Sequence, residues 1–308
     1  MNEERIIIGC DQLGGSDWGT TKITEIMDAL RYAYDMGFKR FDTADVYGLG
    51  LSEARLSSLF FKKSDIKITT KIGIRWICGS NWGRAETCHD DSESYVKTAI
   101  ENSIKRLEGL NIETLLLHWP TSLSNLKRVI QIFEQFSLKG KFNNYGFCNG
   151  AQFLKEIQNQ KYTKNLIYQT NYNLTSQNDA YIENLTKQFK SLQLYGIYAQ
   201  GILAWDNLKK ITTEKDDRRS RLPIYRDENI SKLNFIKKQL NEICLKYNVS
   251  NSSLILNSTL RSVPEASIIV GVRHINHVKS IIEGCNLEIS KKDYELIKSL
   301  FKEFSIRN

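Results

Sequence analysis

The sequence predicts an α/β protein, a (β/α)8 TIM barrel with an extra helix at its C-terminal end. Three observations lead there. Apolar strand-like runs alternate with helix-period segments from one end to the other, there are eight such runs, and no linker or break in composition interrupts them. That alternation indicates parallel βα units, and eight is the number that closes a barrel. A doubly wound open sheet is the alternative the same pattern allows. The chain has 308 residues, 41% of them hydrophobic. That length admits two domains, but barrels of this kind commonly reach ~250 residues as one unit. Residues 1–308 are therefore read as one barrel domain.

Taken in order, the strand candidates are residues 5–10, 40–44, 66–71, 114–119, 143–148, 166–171, 194–199 and 267–272. Between them, apolar residues recur at three and four over 24–36, 93–107, 126–136, 179–192, 230–247 and 275–282, the period of an amphipathic helix. Residues 251–260 read as an added helix before the last strand, and 291–304 as a C-terminal helix packed on the outside. Two long irregular segments, 73–91 and 205–228, each follow a strand. In a barrel both would overhang the face where active sites are built.

Composition narrows the function classes. No run approaches the ~18 apolar residues of a membrane span. The N-terminal MNEERIIIGCDQ has no long apolar segment. Six cysteines (Cys10, Cys78, Cys88, Cys148, Cys244 and Cys285) are scattered with no CxxC spacing. In a chain this size that pattern suggests reduced thiols, and a soluble cytoplasmic protein is the expectation. The net charge of +8 is spread among acidic residues. Arg218, Arg219 and Arg221 form a small basic cluster, but no nucleic-acid motif accompanies it. A phosphate-bearing small molecule explains the excess charge as well.

The segment RFDTADVYGLGLSE, residues 40–53, puts Asp42 and Tyr47 where a hydrophobic run gives way to a glycine-rich turn. Lys71 in KITTKIG and His118 in LLLHWP lie at the same kind of place. Singly, each has an ordinary reading: a capping carboxylate, a solvated lysine, a structural histidine. Together, on the ends of the second, third and fourth strands of a parallel barrel, they fall within a side chain's reach of one another. The chemistry then fits. A tyrosine titrates near ~10. A nearby ammonium favours the phenolate, and a carboxylate beside the lysine keeps that ammonium in place. A neutral histidine opposite donates to a substrate carbonyl oxygen. Tyr47 would be general acid in reduction and general base in oxidation.

At these residues the sequence resembles the aldo-keto reductase family, over almost its whole length. DTADVYGLGLSEARL matches the family's DTAxxYGxGxSExxL segment, ITTKIG its TK strand, and LLLHWP its HxP strand. The resemblance implies that Asp42, Tyr47, Lys71 and His118 correspond to the catalytic tetrad. It also implies NADPH-dependent reduction of an aldehyde or ketone by direct hydride transfer, with NADH as a possible substitute.

The resemblance assigns cofactor positions less uniformly. The family's GxSN reads GFCN here, so Asn149 aligns with a nicotinamide carboxamide ligand. Cys148 replaces the serine, with a weaker hydrogen-bonding thiol. Gln169 aligns with the glutamine of the sixth strand, and Tyr195 with the residue that stacks on the nicotinamide. GIYAQGIL, with Gln200 and Gly201, is similar to SPLxxGxL without its proline, and its amides would face the pyrophosphate. IIVGVRHINHVKS is similar to IxGxRxxxQxxEN. Gly271 and Arg273 match, and a guanidinium suits a 2′-phosphate. His277 stands where glutamine or arginine is usual, and Ser280 and Ile281 replace a Glu-Asn pair, which puts the preference for NADP over NAD in question. Gly48–Gly50 do not have the spacing of a dinucleotide loop.

For the substrate, Trp18, Trp76, Trp82 and Trp119 are candidates for an aromatic wall, alongside the plainer reading that they pack the barrel top. Cys78, Cys88 and His89 are too irregularly spaced to predict a metal site. The expected activity is reduction of a carbonyl compound, with sugars and sugar derivatives among the candidates. Two alternatives stay open. One is an aldose or alcohol dehydrogenase running oxidatively. The other is a cofactor-sensing partner of the potassium-channel β type, against which the short stretch before Arg5 counts. No nucleic-acid or membrane partner is expected, and the sequence leaves oligomeric state open.

Overall fold

The computed structural model describes residues 2–304 apart from 17, 20, 21, 81–83, 177, 206, 207, 209–216 and 303. It also leaves out the side chains of 77–80, 84 and 218. The strands are β1 (Ile6–Gly9), β2 (Arg40–Asp42), β3 (Lys67–Ile72), β4 (Ile74–Ser80), β5 (Arg84–His89), β6 (Asn111–Leu117), β7 (Asn144–Cys148), β8 (Leu166–Asn171), β9 (Ser191–Tyr195) and β10 (Ser267–Gly271). Eight of them close a barrel in the order β1-β10-β9-β8-β7-β6-β3-β2, while β4 and β5 form a separate hairpin. Every barrel pairing is parallel. Closure rules out the open sheet. Strands covered on both faces read as continuous apolar runs. All four residues of β1, Ile6 to Gly9, are buried, as are the last five of β3.

The helices are α1 (Ile23–Asp35), α2 (Leu51–Phe60), α3 (Glu93–Arg106), α4 (Leu123–Leu138), α5 (Leu154–Gln158), α6 (Asp179–Gln188), α7 (Asp227–Tyr247), α8 (Asn251–Ser262), α9 (Ile275–Asn286) and α10 (Lys291–Lys302). Their buried residues follow the helical period. On α1 these are Ile26, Ala29, Leu30 and Ala33; on α3 they are Val96, Ala99, Ile100 and Ser103. The added helix α8 is buried over most of its length. Its polar side chains are tolerated because they find partners. Ser258 Oγ donates to the Leu254 carbonyl at 2.8 Å, and Asn257 Nδ2 donates to the carbonyls of Gly284 and Leu287 at 3.0 and 2.7 Å. The C-terminal helix α10 buries Ile297 and Phe301 in an apolar cluster with residues of α7 and α8, among them Leu240 and Leu254. Among the described residues no helix is long and apolar enough to cross a membrane.

Two of the differences from the sequence expectation bear on the candidate site residues. The seventh barrel strand occupies Ser191–Tyr195 rather than 194–199, and the helix before it stops at Gln188 rather than running to 192. In SLQLY the buried Gln193 interrupts the apolar run, while Leu192 satisfies the helical and the strand period alike. Gly196, at φ +77°, then turns the chain out of the strand. The described residues of 73–91 are not irregular: they form the β4 and β5 pair, with Ile74 opposite His89 and Trp76 opposite Thr87.

Candidate active site

Asp42 ends β2, and Lys71 lies one residue from the end of the neighbouring β3. Lys71 Nζ donates to Asp42 Oδ1 at 2.6 Å and to the Thr43 carbonyl at 2.8 Å. The two side chains are only 2% and 6% exposed. Burying such a pair is costly unless the geometry is good and further hydrogen bonds complete it, and both conditions hold here.

Tyr47 is brought to this pair by the turn after β2. Gly48 in that turn has φ +59°, and a Cβ there would lie 2.2 Å from the Gly14 carbonyl oxygen. Only glycine fits, so these glycines serve the backbone path that delivers Tyr47. Lys71 Nζ lies 5.2 Å from the centre of the Tyr47 ring. His118, the first residue after β6 and 8% exposed, meets that ring edge-on at 5.9 Å and 82°. Asp42, Tyr47, Lys71 and His118 thus form one cluster at the C-terminal ends of three adjacent strands.

A polar row crosses the barrel beneath this cluster. The β7–β8–β9 register sets Cys148 opposite Gln169 and Gln169 opposite Gln193. Gln169 Nε2 donates to Asp42 Oδ2 at 2.9 Å and to Gln193 Oε1 at 3.0 Å, while Cys148 Sγ donates to Gln169 Oε1 at 3.4 Å. Burial pushes the Cys148 thiol up to about 12, so it is a donor rather than a thiolate. Asn149, held at φ +63°, donates from Nδ2 to the His118 carbonyl at 3.0 Å and accepts the Tyr195 hydroxyl proton at 2.6 Å. Burial raises the Tyr195 phenol, so it stays protonated.

The other expected cofactor residues lie on the barrel's opposite flank. Gly271 ends β10 beside Gly9 of β1. The Arg273 guanidinium stands 5.3 Å from the Trp18 ring centre and donates to the Trp18 carbonyl at 3.4 Å. His277 Nδ1 accepts the Arg273 backbone N–H at 3.2 Å, and its ring lies 4.0 Å from that of His274. Burial first, then His274 and Arg273, lower its pKa to about 4, so the imidazole is neutral. Ala199, Gln200 and Gly201 form a run of positive φ. The Gly201 amide is committed to the Tyr198 carbonyl at 2.9 Å, and the Gln200 carbonyl accepts from the Tyr225 hydroxyl at 2.8 Å. Ile281 is buried in the core, and the Ser280 carbonyl accepts from Ser253 of α8 at 3.0 Å. Of the three arginines after 217, Arg219 is turned inward, its Nε donating to both oxygens of Asp217 at 2.9 Å, whereas Arg221 is exposed and the Arg218 side chain lies outside the described residues.

The tryptophans do not share one wall. Trp18 is buried against Arg273. Trp76 lines a cavity of about 440 Å³ with Asp45, Arg75, Tyr95 and Arg106 on the outer flank of the barrel. Trp119, 41% exposed, stacks on His89 of the hairpin at 5.8 Å. Trp82 and the Cys78 side chain lie outside the described residues. Among the described residues no group of three histidines, cysteines or carboxylates is placed to hold a metal.

The sequence reading missed Gln193, Asp45 and Glu53. The signal that could have found Gln193 is an amide between the two leucines of SLQLY, two residues before Tyr195 and so on the same face of the strand. Glu53 is fully buried, taking Thr70 Oγ1 and Arg106 Nε at 2.6 Å each. Burial and the Glu53 charge push the neighbouring Asp45 carboxyl well above its usual range.

With this geometry in view, comparison with known proteins decides the family. The aldo/keto reductase family model matches residues 5–302. The chain belongs to the aldo/keto reductase family. That membership makes it an oxidoreductase acting on a carbonyl or an alcohol. It is 23% identical to aldo-keto reductase YhdN of Bacillus subtilis over 98% of this chain and 91% of that one. Its fold matches glycerol dehydrogenase of Gluconobacter oxydans with a TM-score of 0.84 at 20% identity, over 99% and 93% of the two chains. It also matches an aldo-keto reductase of Klebsiella pneumoniae in complex with NADPH, with a TM-score of 0.69 at 17% identity over 96% and 90%.

Proposed function

We propose that this aldo/keto reductase uses NADP(H) to interconvert a small carbonyl compound and its alcohol, with Tyr47 passing the proton. The observation that carries the reading is the Lys71 ammonium, clamped at 2.6 Å by Asp42 and 5.2 Å from the Tyr47 ring centre. A cation beside a phenol favours release of its proton. In reduction Tyr47 gives its hydroxyl proton to the oxygen that becomes the alcohol. In oxidation it takes that proton back. His118, edge-on to Tyr47, completes the pocket for that oxygen by donating a hydrogen bond.

The chain's donor set fits such a cofactor. Asn149 offers its amide beside the proton-transfer cluster, and Gln169 Oε1, which takes the Cys148 thiol proton, keeps a second lone pair for a carboxamide N–H. Arg273 offers a guanidinium on another strand end, suited to a 2′-phosphate. When bound, NADPH supplies the hydride. Tyr195, fixed by its bond to Asn149, shapes the face on which the ring would lie. The fold neighbour that carries NADPH supports this choice of cofactor. Following absorbance at the NADPH band against a panel of aldehydes, ketones and sugars, with NADH in parallel, tests the reading. Oxidation by at least one carbonyl, faster with NADPH, is expected; no oxidation by any would contradict it.

A further inference from the structure

We propose that Gln193 is a positioning residue for this site: through Gln169 it fixes the carboxylate that holds Lys71. The inference rests on the reading of Asp42, Lys71, Tyr47 and His118 as the reacting centre. In the closed barrel, β8 stands four strands from β2 in either direction. Gln169 is therefore a strut reaching Asp42 from the opposite wall. Gln193, its register partner on β9, braces that strut from the side.

The polarity of the row is forced by chemistry. A carboxylate only accepts, so the Gln169 nitrogen must face Asp42. Its second N–H then has Gln193 Oε1 as acceptor at 3.0 Å, and its oxygen takes the Cys148 thiol proton at 3.4 Å. Turning the amide over would set its oxygen against both Asp42 and Gln193, breaking two hydrogen bonds at once. Gln169, Gln193 and Lys71 are each 1% exposed and Asp42 4%. In so dry a setting an unmet donor or acceptor is costly, so the row has one stable arrangement. Remove the Gln193 oxygen and one N–H of Gln169 is left buried without an acceptor. The amide then gains by rotating away, and Asp42 is no longer braced where it meets Lys71. Gln193 touches neither the reacting atoms nor the bound cofactor in this account; it acts through its neighbour.

The test is a double-mutant cycle in steady-state kinetics with NADPH and 4-nitrobenzaldehyde. Gln193→Leu is expected to lower kcat about tenfold, as small misplacements at a reacting centre do, with KM for the aldehyde within about twofold. In a Gln169→Leu background the same substitution is expected to change kcat less than about twofold, because the element it acts through is gone. A kcat unchanged in Gln193→Leu, or an equal loss in both backgrounds, overturns the proposal. Should Gln193→Leu fail to fold, Gln193→Met, which keeps the length and lacks the oxygen, carries the same expectations. A crystal structure of whichever variant folds supplies a readout independent of turnover. The Gln169 amide is expected to have left Asp42, and its retention there overturns the proposal. If the unsubstituted enzyme turns over no carbonyl at all, the reading of the site fails, and that crystal structure alone decides the role of Gln193.

Discussion

Lys71 Nζ and Asp42 Oδ1 lie 2.6 Å apart inside the barrel mouth, both side chains almost wholly withdrawn from water. A charge so placed is kept only with its partner. Lys71→Met is expected to lower unfolding free energy by about 3–5 kcal/mol, the cost of leaving a buried charge uncompensated. Lys71→Met combined with Asp42→Leu is expected to recover part of that loss. Urea unfolding of the three variants checks it; a double variant less stable than Lys71→Met would show that the pair is not what the single substitution breaks.

Glu53 belongs to the same conspicuous segment as Asp42 and Tyr47, yet its role is structural. It joins α2 to β3 through Thr70 and to α3 through Arg106. Glu53→Gln turns one acceptor oxygen into a donor facing a donor, and about 2 kcal/mol of stability should be lost. Thermal unfolding measures it, and KM for the carbonyl should stay within about twofold of the parent.

The fold and the grouping of Asp42, Tyr47, Lys71 and His118 were legible because both depend on local patterns. Apolar runs such as IIIG and KITTKI end at residues whose chemistry is plain, and parallel closure makes strand ends neighbours. Gln193 was not legible while the strand was thought to begin at Leu194, since a shift of three residues hides which side chains share its inner face. The Gln169–Asp42 bond links strands at opposite walls, 127 residues apart in sequence, and no local period encodes such a contact. The three tryptophans illustrate the reverse: position after a strand predicted the right end of the barrel, but each indole's surroundings are set by Arg273, by Arg106 and by His89.

His277 gives the protein an acid-sensitive point. Its pKa falls from 6.5 to about 4 on folding, because burial and then His274 and Arg273 disfavour the charged ring. A base whose folded pKa is depressed is protonated more readily when unfolded. Its full contribution to stability is therefore present above pH ~6.5 and is lost progressively as pH falls towards ~4, on the order of 1–3 kcal/mol in all. Unfolding midpoints between pH 4 and 8 should show this decline, and His277→Gln should flatten it. An unchanged pH profile in that variant would contradict the assignment.

Thiol chemistry should separate the cysteines. Cys88 is exposed, whereas Cys10, Cys148, Cys244 and Cys285 are buried. Burial drives Cys10 well above its usual value and Cys148 and Cys285 up to about 12, and reaction requires the thiolate. Among these five, brief iodoacetamide treatment at neutral pH should modify Cys88 first, with Cys148 intact by peptide mass mapping. Early alkylation of Cys148 would contradict the arrangement around Gln169.

The proposed proton transfer rests on the Tyr47 hydroxyl. Tyr47→Phe removes one oxygen and leaves the ring between Lys71 and His118. Single-turnover hydride transfer from NADPH to an aldehyde accepted by the parent enzyme should fall by about 10²–10⁴-fold, the usual worth of a positioned acid. NADPH binding, followed by quenching of tryptophan fluorescence, should stay within about threefold, since the Asn149 and Arg273 ends are untouched. Hydride transfer at the parent rate in Tyr47→Phe, with NADPH still bound, would contradict the account.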